Sequence, residues 1–261
     1  MAETNGVKKE TVEIQKELFS EKTSKLSKYM ELIIGRKGLW NLIKYELIIT
    51  FCSAVPGALG LLLRSKLYPK LLGRVGRNVT FGTNVVLRHP HKIFIGDNVV
   101  IDDNVVLDAK GKDNHGLVIG NGVFVGRNTI LSCKNGDIIL DDNANLGFNC
   151  EIFSANRVRV GKNVLMAAYC YLVGGTHTFS RTDIPMLYQE REARGIEIGD
   201  NAWLGAHVVV FDGTRVGEEC VIGAGAVVNS DIPDWQIAVG IPAKPVKDRR
   251  KLKDEQEMEQ V

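Results

Sequence analysis

Residues 198–228 read IGDNAWLGAHVVVFDGTRVGEECVIGAGAVV. An aliphatic residue returns there at every sixth position, namely Ile198, Leu204, Val210, Val216, Ile222 and Val228. A period of six matches neither the 3.6-residue turn of an α-helix nor the two-residue alternation of a long strand, so it indicates an internal repeat. Hexapeptide repeats are typical of parallel β-helices, in which each repeat forms one short strand and a turn. Three repeats would close one coil of roughly 18 residues around the aliphatic side chains.

The same pattern can be followed toward the N-terminus, and its phase shifts wherever extra residues loop out. Matching apolar residues are Val75, Phe81, Leu87, Ile95, Ile101, Leu107, Ile119, Val125, Leu131, Leu140, Leu146, Ile152, Val160, Met166 and Leu172. Gly-Asp-Asn and Gly-Lys-Asn turns accompany them, which argues strongly against a chance origin. We therefore predict about seven coils, stacked at the separation of neighbouring β-strands into a column about 30 Å tall.

The composition agrees with a solenoid and limits the classes of function. The chain has 261 residues, and its 27 glycines suit tight coil corners, where a residue without Cβ is favoured. The formal net charge is only +2, so no nucleic-acid partner is expected. The five cysteines show no metal-ligand spacing, which indicates reduced thiols and no metal site. Because no signal-peptide pattern opens the sequence, we expect a cytoplasmic protein.

The repeat divides the chain into three parts. Residues 1–72 are predicted to form an N-terminal helical arm with an apolar segment, and residues 73–233 are predicted to form the β-helix. Within the β-helix the repeat stops over residues 174–197, the predicted active-site loop, because a long excursion in a regular solenoid is usually functional. Residues 234–261 begin with closely spaced prolines, which predict an extended segment followed by a charged tail.

The apolar part of the arm has two compatible interpretations. Residues 47–63 contain no charged residue, but they are fewer than the roughly 20 apolar residues of a membrane-spanning helix, and Pro56 interrupts them. One interpretation is an interfacial anchor that contacts a membrane surface through residues 40–70, peripheral to the inner face of the cell membrane. The other is a helical cap over the first coil, which a solenoid needs.

Four histidines lie where the repeat is interrupted. His177 stands at the base of the longest interruption, and we therefore predict that it belongs to an active site. By contrast, His89, His91 and His115 occupy shorter breaks between coils, where we expect solvated loop side chains.

Several motifs together resemble one known family. GGTHTF around His177, IGDNAWLGAHVVV, VIGAGAVVNSDIP and IAVGIPAKPVK resemble, in this order, motifs of the hexapeptide-repeat acyltransferases. The match is best to the maltose/galactoside and polysaccharide O-acetyltransferase branch, and it covers about residues 75–247. This resemblance implies a left-handed parallel β-helix, a homotrimer with active sites between neighbouring columns, and acetyl-CoA as the acyl donor.

The resemblance also implies roles for individual residues. His177 matches the general base that takes the proton of an acceptor hydroxyl. The resemblance does not identify the group that orients its imidazole, for which Glu151 and Asp183 are candidates. The backbone N–H of Ala206 would stabilise the negative charge that develops on the thioester oxygen. The residues that match CoA-binding positions are Trp203, Ala206, Ala224, Asn229, Ser230, Lys244 and Lys247.

The acceptor is the part of the reaction on which the sequence departs from the family pattern. Asn149 matches an acceptor-binding position, but Ser154 and Ala155 stand where members that acetylate free disaccharides have acidic residues. We therefore expect a sugar or a lipid-linked glycan precursor, and not maltose or galactoside. The alternative functions are an N-acyltransferase of an amino sugar and a non-catalytic hexapeptide-repeat scaffold.

Overall fold

A column of short parallel strands forms most of the protein, which confirms the predicted parallel β-helix. The structure is a computed structural model that describes residues 8–10 and 24–252. In chain order its strands are β1 (Lys8–Glu10), β2 (Arg74–Val75), β3 (Thr80–Phe81), β4 (Val86–Arg88), β5 (Ile93–Ile95), β6 (Val100–Ile101), β7 (Val106–Asp108), β8 (Leu117–Ile119), β9 (Phe124–Val125), β10 (Ile130–Cys133), β11 (Asp137–Leu140), β12 (Asn145–Leu146), β13 (Glu151–Ser154), β14 (Arg157–Val160), β15 (Leu165–Met166), β16 (Tyr171–Gly174), β17 (Thr176–His177), β18 (Arg191–Ala193), β19 (Ile196–Ile198), β20 (Trp203–Leu204), β21 (Val209–Phe211), β22 (Arg215–Val216), β23 (Val221–Ile222), β24 (Val227–Val228), β25 (Gln236–Val239) and β26 (Lys244–Asp248).

Three sheets form the faces of the column. The first face has the order β2-β5-β8-β11-β14-β19-β22, and the third face has the order β4-β7-β10-β13-β16-β21-β24. The second face, β3-β6-β9-β12-β15-β20-β23, continues into β25 and the antiparallel strand β26. Each strand pairs in register with the strand one coil later, so Leu87, Leu107, Leu131, Ile152 and Leu172 stack and are fully buried. The aliphatic positions of the repeat therefore form the core.

Asparagine ladders line two corners of the column. Asn78, Asn98, Asn143, Asn163 and Asn201 have positive φ at the corner between the first and second faces, and Asn84, Asn104, Asn128 and Asn149 have it between the second and third. Asn tolerates this left-handed conformation better than most residues, which explains the asparagine-containing turns of the repeat. Their amides also bond from coil to coil, as in the 3.1 Å hydrogen bond from Asn143 to Asn163.

Helices cover the N-terminal end of the column. They are α1 (Lys25–Tyr29), a π-helical turn (Met30–Ile34), α2 (Leu39–Cys52) and α3 (Gly57–Leu67), and 3-10 turns occur at Tyr68–Lys70, Pro90–Lys92 and Met186–Tyr188. The apolar stretch 47–63 is divided between α2 and α3, because Pro56 has an extended backbone and Gly57 a positive φ of 64°. No helix in the described part of the chain has the length and apolarity that a bilayer span requires.

A buried arginine joins these helices to the first coil. Arg64 is 1% exposed, and it donates to the carbonyl oxygens of Phe81 at 2.9 Å, Cys52 at 3.0 Å and Val55 at 2.7 Å. Cys52 ends α2, where a positive charge is favourable, and Phe81 belongs to β3. Ile48, Cys52 and Tyr68 also belong to the same hydrophobic cluster as the interior of the column. The helices therefore cap the first coil.

The expectation that His89 and His91 are solvated is wrong, because both lie beneath this cap. The His89 N–H donates to the Ile33 carbonyl at 2.7 Å, and its Nε2 lies 2.8 Å from the Glu31 carbonyl oxygen. The two imidazole rings stack with their centroids 6.0 Å apart. Burial, followed by the positive charge of Arg36, lowers the pKa of His91 to about 4. Both histidines therefore help to hold the π-helical turn against the column.

Candidate active site

The interruption after β16 forms a small antiparallel sheet beside the column. β17 pairs with β18, and β1 adds to the other edge of β18. The strand pairing places His177 opposite Arg191. The sequence did not predict this sheet, since its pairings lie outside the six-residue period. Residues 8–10 of the predicted helical arm form the strand β1 instead, and residues 11–23 of that arm lie outside the described residues.

His177 is half-buried, and its imidazole contacts an arginine. The Nε–H of Arg191 donates to Nε2 of His177 at 3.1 Å, and Nδ1 of His177 is buried without a hydrogen-bond partner in the described part of the chain. Because Nε2 accepts a hydrogen bond, the proton of the neutral ring is assigned to Nδ1. An acceptor hydroxyl could deliver its proton to Nε2 only by replacing the Arg191 guanidinium there.

The two candidates for orienting His177 have other neighbours in the structure. Asp183 forms an ion pair with Arg181 in the exposed part of the loop. Glu151 lies beside Tyr171 at the start of β16, whereas His177 follows the end of that strand. Arg191 is therefore the residue that sequence reasoning missed, because the pairing of β17 with β18 leaves no mark in the sequence period.

A shallow groove of about 600 Å³ opens beside the imidazole. It is lined by Gly175, Thr176, His177, Phe179, Met186 and Leu187. Phe179 is 74% exposed and Met186 is 56% exposed, so the apolar rim of the groove is uncovered in a single chain. The groove can accommodate a substrate group or an apolar part of a neighbouring molecule next to His177.

Three of the predicted donor-binding residues lie along the second face and its following corner. Trp203 is on β20 and is 50% exposed. Ala206 follows in the corner, and its N–H has no acceptor in the described residues. Ala224 occupies the equivalent corner one coil later, where the N–H of Gly225 donates to the Ala206 carbonyl at 2.8 Å. Trp203, Ala206 and Ala224 are thus close together, with backbone groups available to a ligand.

The remaining predicted residues are spread over the C-terminal end and a lower corner. Asn229 and Ser230 are exposed after β24, and Lys244 and Lys247 lie on β26, at the C-terminal end of the second face. Asn149 belongs to the ladder between the second and third faces, and its Oδ1 accepts from the Asn128 amide at 3.1 Å.

One chain does not bring the imidazole and the donor-binding residues together. His177 follows β16 of the third face and precedes β19 of the first, whereas Trp203 and Lys244 belong to the second face. The two groups therefore lie on different edges of the prism. A site that contains both would need a second column.

Comparison with known proteins agrees with the repeat and its class. A family model described as the hexapeptide repeat of succinyl-transferase matches residues 74–109 and 195–230. The chain is 34% identical over 157 residues to a probable acetyltransferase of Mycobacterium tuberculosis, which covers 58% of this chain and 52% of that protein. It is 39% identical over 114 residues to a putative acetyltransferase of Schizosaccharomyces pombe, at 41% and 50% coverage. The chain thus spans about half the length of these curated relatives.

Solved structures show the same fold. A mutant of AntD, an N-acyltransferase from Bacillus cereus in complex with dTDP-4-amino-4,6-dideoxyglucose and coenzyme A, matches with a TM-score of 0.53 and 18% identity, covering 80% of this chain and 98% of that one. The polySia-specific acetyltransferase NeuO matches with a TM-score of 0.50 and 21% identity, at 68% and 83% coverage. The protein is a hexapeptide-repeat β-helix protein. Its resemblance to the hexapeptide-repeat acyltransferases, noted in its motifs, is confirmed.

Proposed function

We propose that the protein is a CoA-dependent O-acetyltransferase that transfers an acetyl group to a hydroxyl of a sugar or lipid-linked glycan precursor. The observation that carries this proposal is the half-buried imidazole of His177, held at an open groove with its Nε2 accepting a hydrogen bond. The similarity to curated acetyltransferases supports acyl transfer as the class of reaction.

In the proposed reaction the acceptor hydroxyl first replaces the Arg191 guanidinium at Nε2 of His177. The acceptor oxygen then attacks the carbonyl carbon of acetyl-CoA while Nε2 takes the hydroxyl proton. The negative charge that develops on the carbonyl oxygen is stabilised by the N–H of Ala206, which has no acceptor in the described residues. The carbon–sulfur bond then breaks, the CoA thiolate takes the proton from the imidazolium, and an acetyl ester remains.

We also propose a homotrimer, because a single chain separates His177 from Trp203 and the C-terminal lysines. A neighbouring column could supply the second face, with Trp203 beside the pantetheine arm and Lys244 and Lys247 near the CoA phosphates. Asn229, Ser230 and Ala224 would complete the donor site, and Asn149 would contribute to acceptor binding.

An assay of thiol release from acetyl-CoA, with mass spectrometry of the product, tests the proposed function. Mild alkali removes an acetyl ester and leaves an amide, so an alkali-labile product supports O-transfer. An alkali-stable product would instead identify an N-acyltransferase. Absence of any acetyl-CoA binding by the trimer would favour the non-catalytic scaffold.

Replacing both Lys244→Ala and Lys247→Ala is expected to weaken CoA binding about tenfold or more, because each lysine would lose a charge-assisted contact with phosphate. Isothermal titration calorimetry with CoA measures the change. The single variant Lys70→Ala, at an exposed turn near the opposite end of the column, is the control and should bind CoA normally. Unchanged affinity in the double variant would remove these lysines from the donor site.

The exposed side of the cap is the basis for a proposed membrane contact at the inner face of the cell membrane. Leu39, Ile43, Leu47 and Phe51 are spaced four apart along α2 and are 39% to 67% exposed, and Trp40 is 73% exposed. Residues 36–70 have one acidic residue, Glu46, against several lysines and arginines. Such an apolar surface with basic residues around it suits anionic lipid.

The double variant with Leu47→Gln and Phe51→Gln is expected to co-sediment severalfold less with phosphatidylglycerol-containing vesicles, because about two apolar side chains would no longer be buried in lipid. The control is Ile241→Gln, an equally apolar residue that is 77% exposed outside the cap. Equal sedimentation of both variants would contradict the membrane contact.

A further inference from the structure

Four cations stand near one edge of the column below the His177 loop. Arg88 ends β4, Lys110 follows β7, Lys134 follows β10, and Arg191 lies on β18 opposite His177. We name Arg88, Lys110, Lys134 and Arg191 the basic row. They come from three successive coils and from the interruption itself, so their proximity is a product of the stacking.

The basic row carries an excess of positive charge. The carboxylate of Asp108 lies within the row. It is 3% exposed, and its Oδ2 lies 3.5 Å from both Arg88 Nη1 and Lys110 Nζ. The four cations of the row outnumber the one carboxylate that, among the residues the structure describes, Arg88 and Lys110 contact. Burial lowers the pKa of Lys134, and the charges of Lys110, Arg88 and Arg191 lower it further. Because these like charges repel one another, an additional anion beside them would be stabilised.

The position of Lys134 relates this charge to His177. The N–H of Lys134 donates to the Ser154 carbonyl and the N–H of Ala155 to the Gly174 carbonyl, both at 2.7 Å. Lys134, Ala155 and Gly175 therefore occupy equivalent positions on successive coils, and Lys134 lies two coils, or about 10 Å, below Gly175. Ala155 and Gly175 carry no long side chain, so none projects from these two positions between Lys134 and the loop that carries His177. Phe153 and Ala193 border Gly175.

We propose that the basic row binds a phosphate or diphosphate group of the acceptor, an inference that rests on the proposed function. Phosphoryl oxygens carry more than one negative charge and accept hydrogen bonds from several cations at once, which suits donors that converge from different coils. A sugar attached to that group would extend across Ala155 toward His177. Arg191 belongs to both parts of the site, since it contacts the imidazole at 3.1 Å and its charge reaches Lys134.

Titration of the full-length protein with inorganic diphosphate, followed by calorimetry in the absence of CoA, tests the proposal. We expect binding that weakens as salt rises and that falls about tenfold or more in Lys134→Met, which keeps the apolar stem and removes the charge. The control Lys162→Met changes an exposed lysine outside the row and should bind diphosphate as the unmodified protein does. No binding, or equal binding by Lys134→Met, would overturn the proposal.

Three further measurements identify the source of the anion. The double variant with Lys244→Ala and Lys247→Ala should still bind diphosphate. If this double variant loses diphosphate binding while Lys134→Met binds normally, the anion site is the CoA site and the proposal is overturned. Displacement of diphosphate by UDP-glucose supports a nucleotide sugar, and displacement by a short-chain prenyl-diphosphate sugar supports a lipid-linked acceptor. Displacement by a carboxylated sugar alone would overturn the phosphoryl assignment.

The same titration separates this inference from the proposed function. A protein that binds diphosphate through Lys134 but transfers no acetyl group would contradict the transferase and leave the anion site intact. A protein that acetylates a neutral sugar and binds no diphosphate would contradict the anion site and leave the transferase intact.

Discussion

His177→Ala is expected to lower the rate of acetyl transfer at least about a hundredfold and to leave CoA affinity unchanged. The loss follows from the need to remove the hydroxyl proton as the acceptor attacks, since a neutral alcohol is a poor nucleophile. CoA affinity should persist because Trp203 and the C-terminal lysines lie on another face of the column. Single-turnover transfer measures the first effect and calorimetry with CoA measures the second.

His115→Ala is the matched control for this variant, because His115 is an exposed histidine in a loop between coils. Its transfer rate should equal that of the unmodified protein. Normal turnover by His177→Ala would show that His177 is not the general base. If the variant loses both turnover and CoA binding, His177 instead maintains the structure of the loop.

The repeating contacts of this fold were predictable from the sequence. An aliphatic residue every sixth position identifies the buried stack that includes Leu87 and Leu172, because each coil makes the same contact with the next one. Asparagine in the turns similarly marks the corners that require positive φ. A periodic sequence thus specifies the column because each coil repeats the same aliphatic contacts and the same turns.

Contacts that occur once could not be predicted in this way. Arg191 contacts His177 across 14 residues of sequence through strands that lie outside the period. His89 has a backbone partner at Glu31, 58 residues earlier, so its burial depends on how the cap folds over the column. The charge of the basic row likewise arises only when separate coils stack.

The acceptor side of the site could be predicted only in part from the sequence. Ser154 and Ala155 indicated from sequence that an acidic pair is absent, but they did not indicate what replaces it. In the structure the Ser154 hydroxyl donates to the Asp137 carbonyl at 2.7 Å within the column, and Ala155 lies one coil above Lys134. The sequence therefore indicated that the acidic pair is absent. Only the stacking of the coils revealed the cations of the basic row beside that position.

Arg64→Met is expected to destabilise the docking of the cap on the first coil by about 3 kcal/mol or more, because buried carbonyls of Phe81, Cys52 and Val55 would lose their donor. Methionine fills a similar apolar volume, so the effect reports the guanidinium and not a cavity. The cap should then open more often, and trypsin should cleave at Lys44 and Lys66 roughly a hundredfold faster under conditions where opening precedes cleavage.

Two further variants test whether the three hydrogen bonds cause this effect. Ser65→Ala changes the next residue of α3, whose hydroxyl donates to Leu62 within the same helix, and it should leave the cleavage rate nearly unchanged. Arg64→Lys keeps the charge but places all donors on one nitrogen, and a single ammonium group does not reproduce the planar guanidinium. Trypsin should therefore cleave this variant at an intermediate rate. If Arg64→Met resists trypsin as well as the unmodified protein does, apolar packing of Ile48, Cys52 and Tyr68 alone holds the cap.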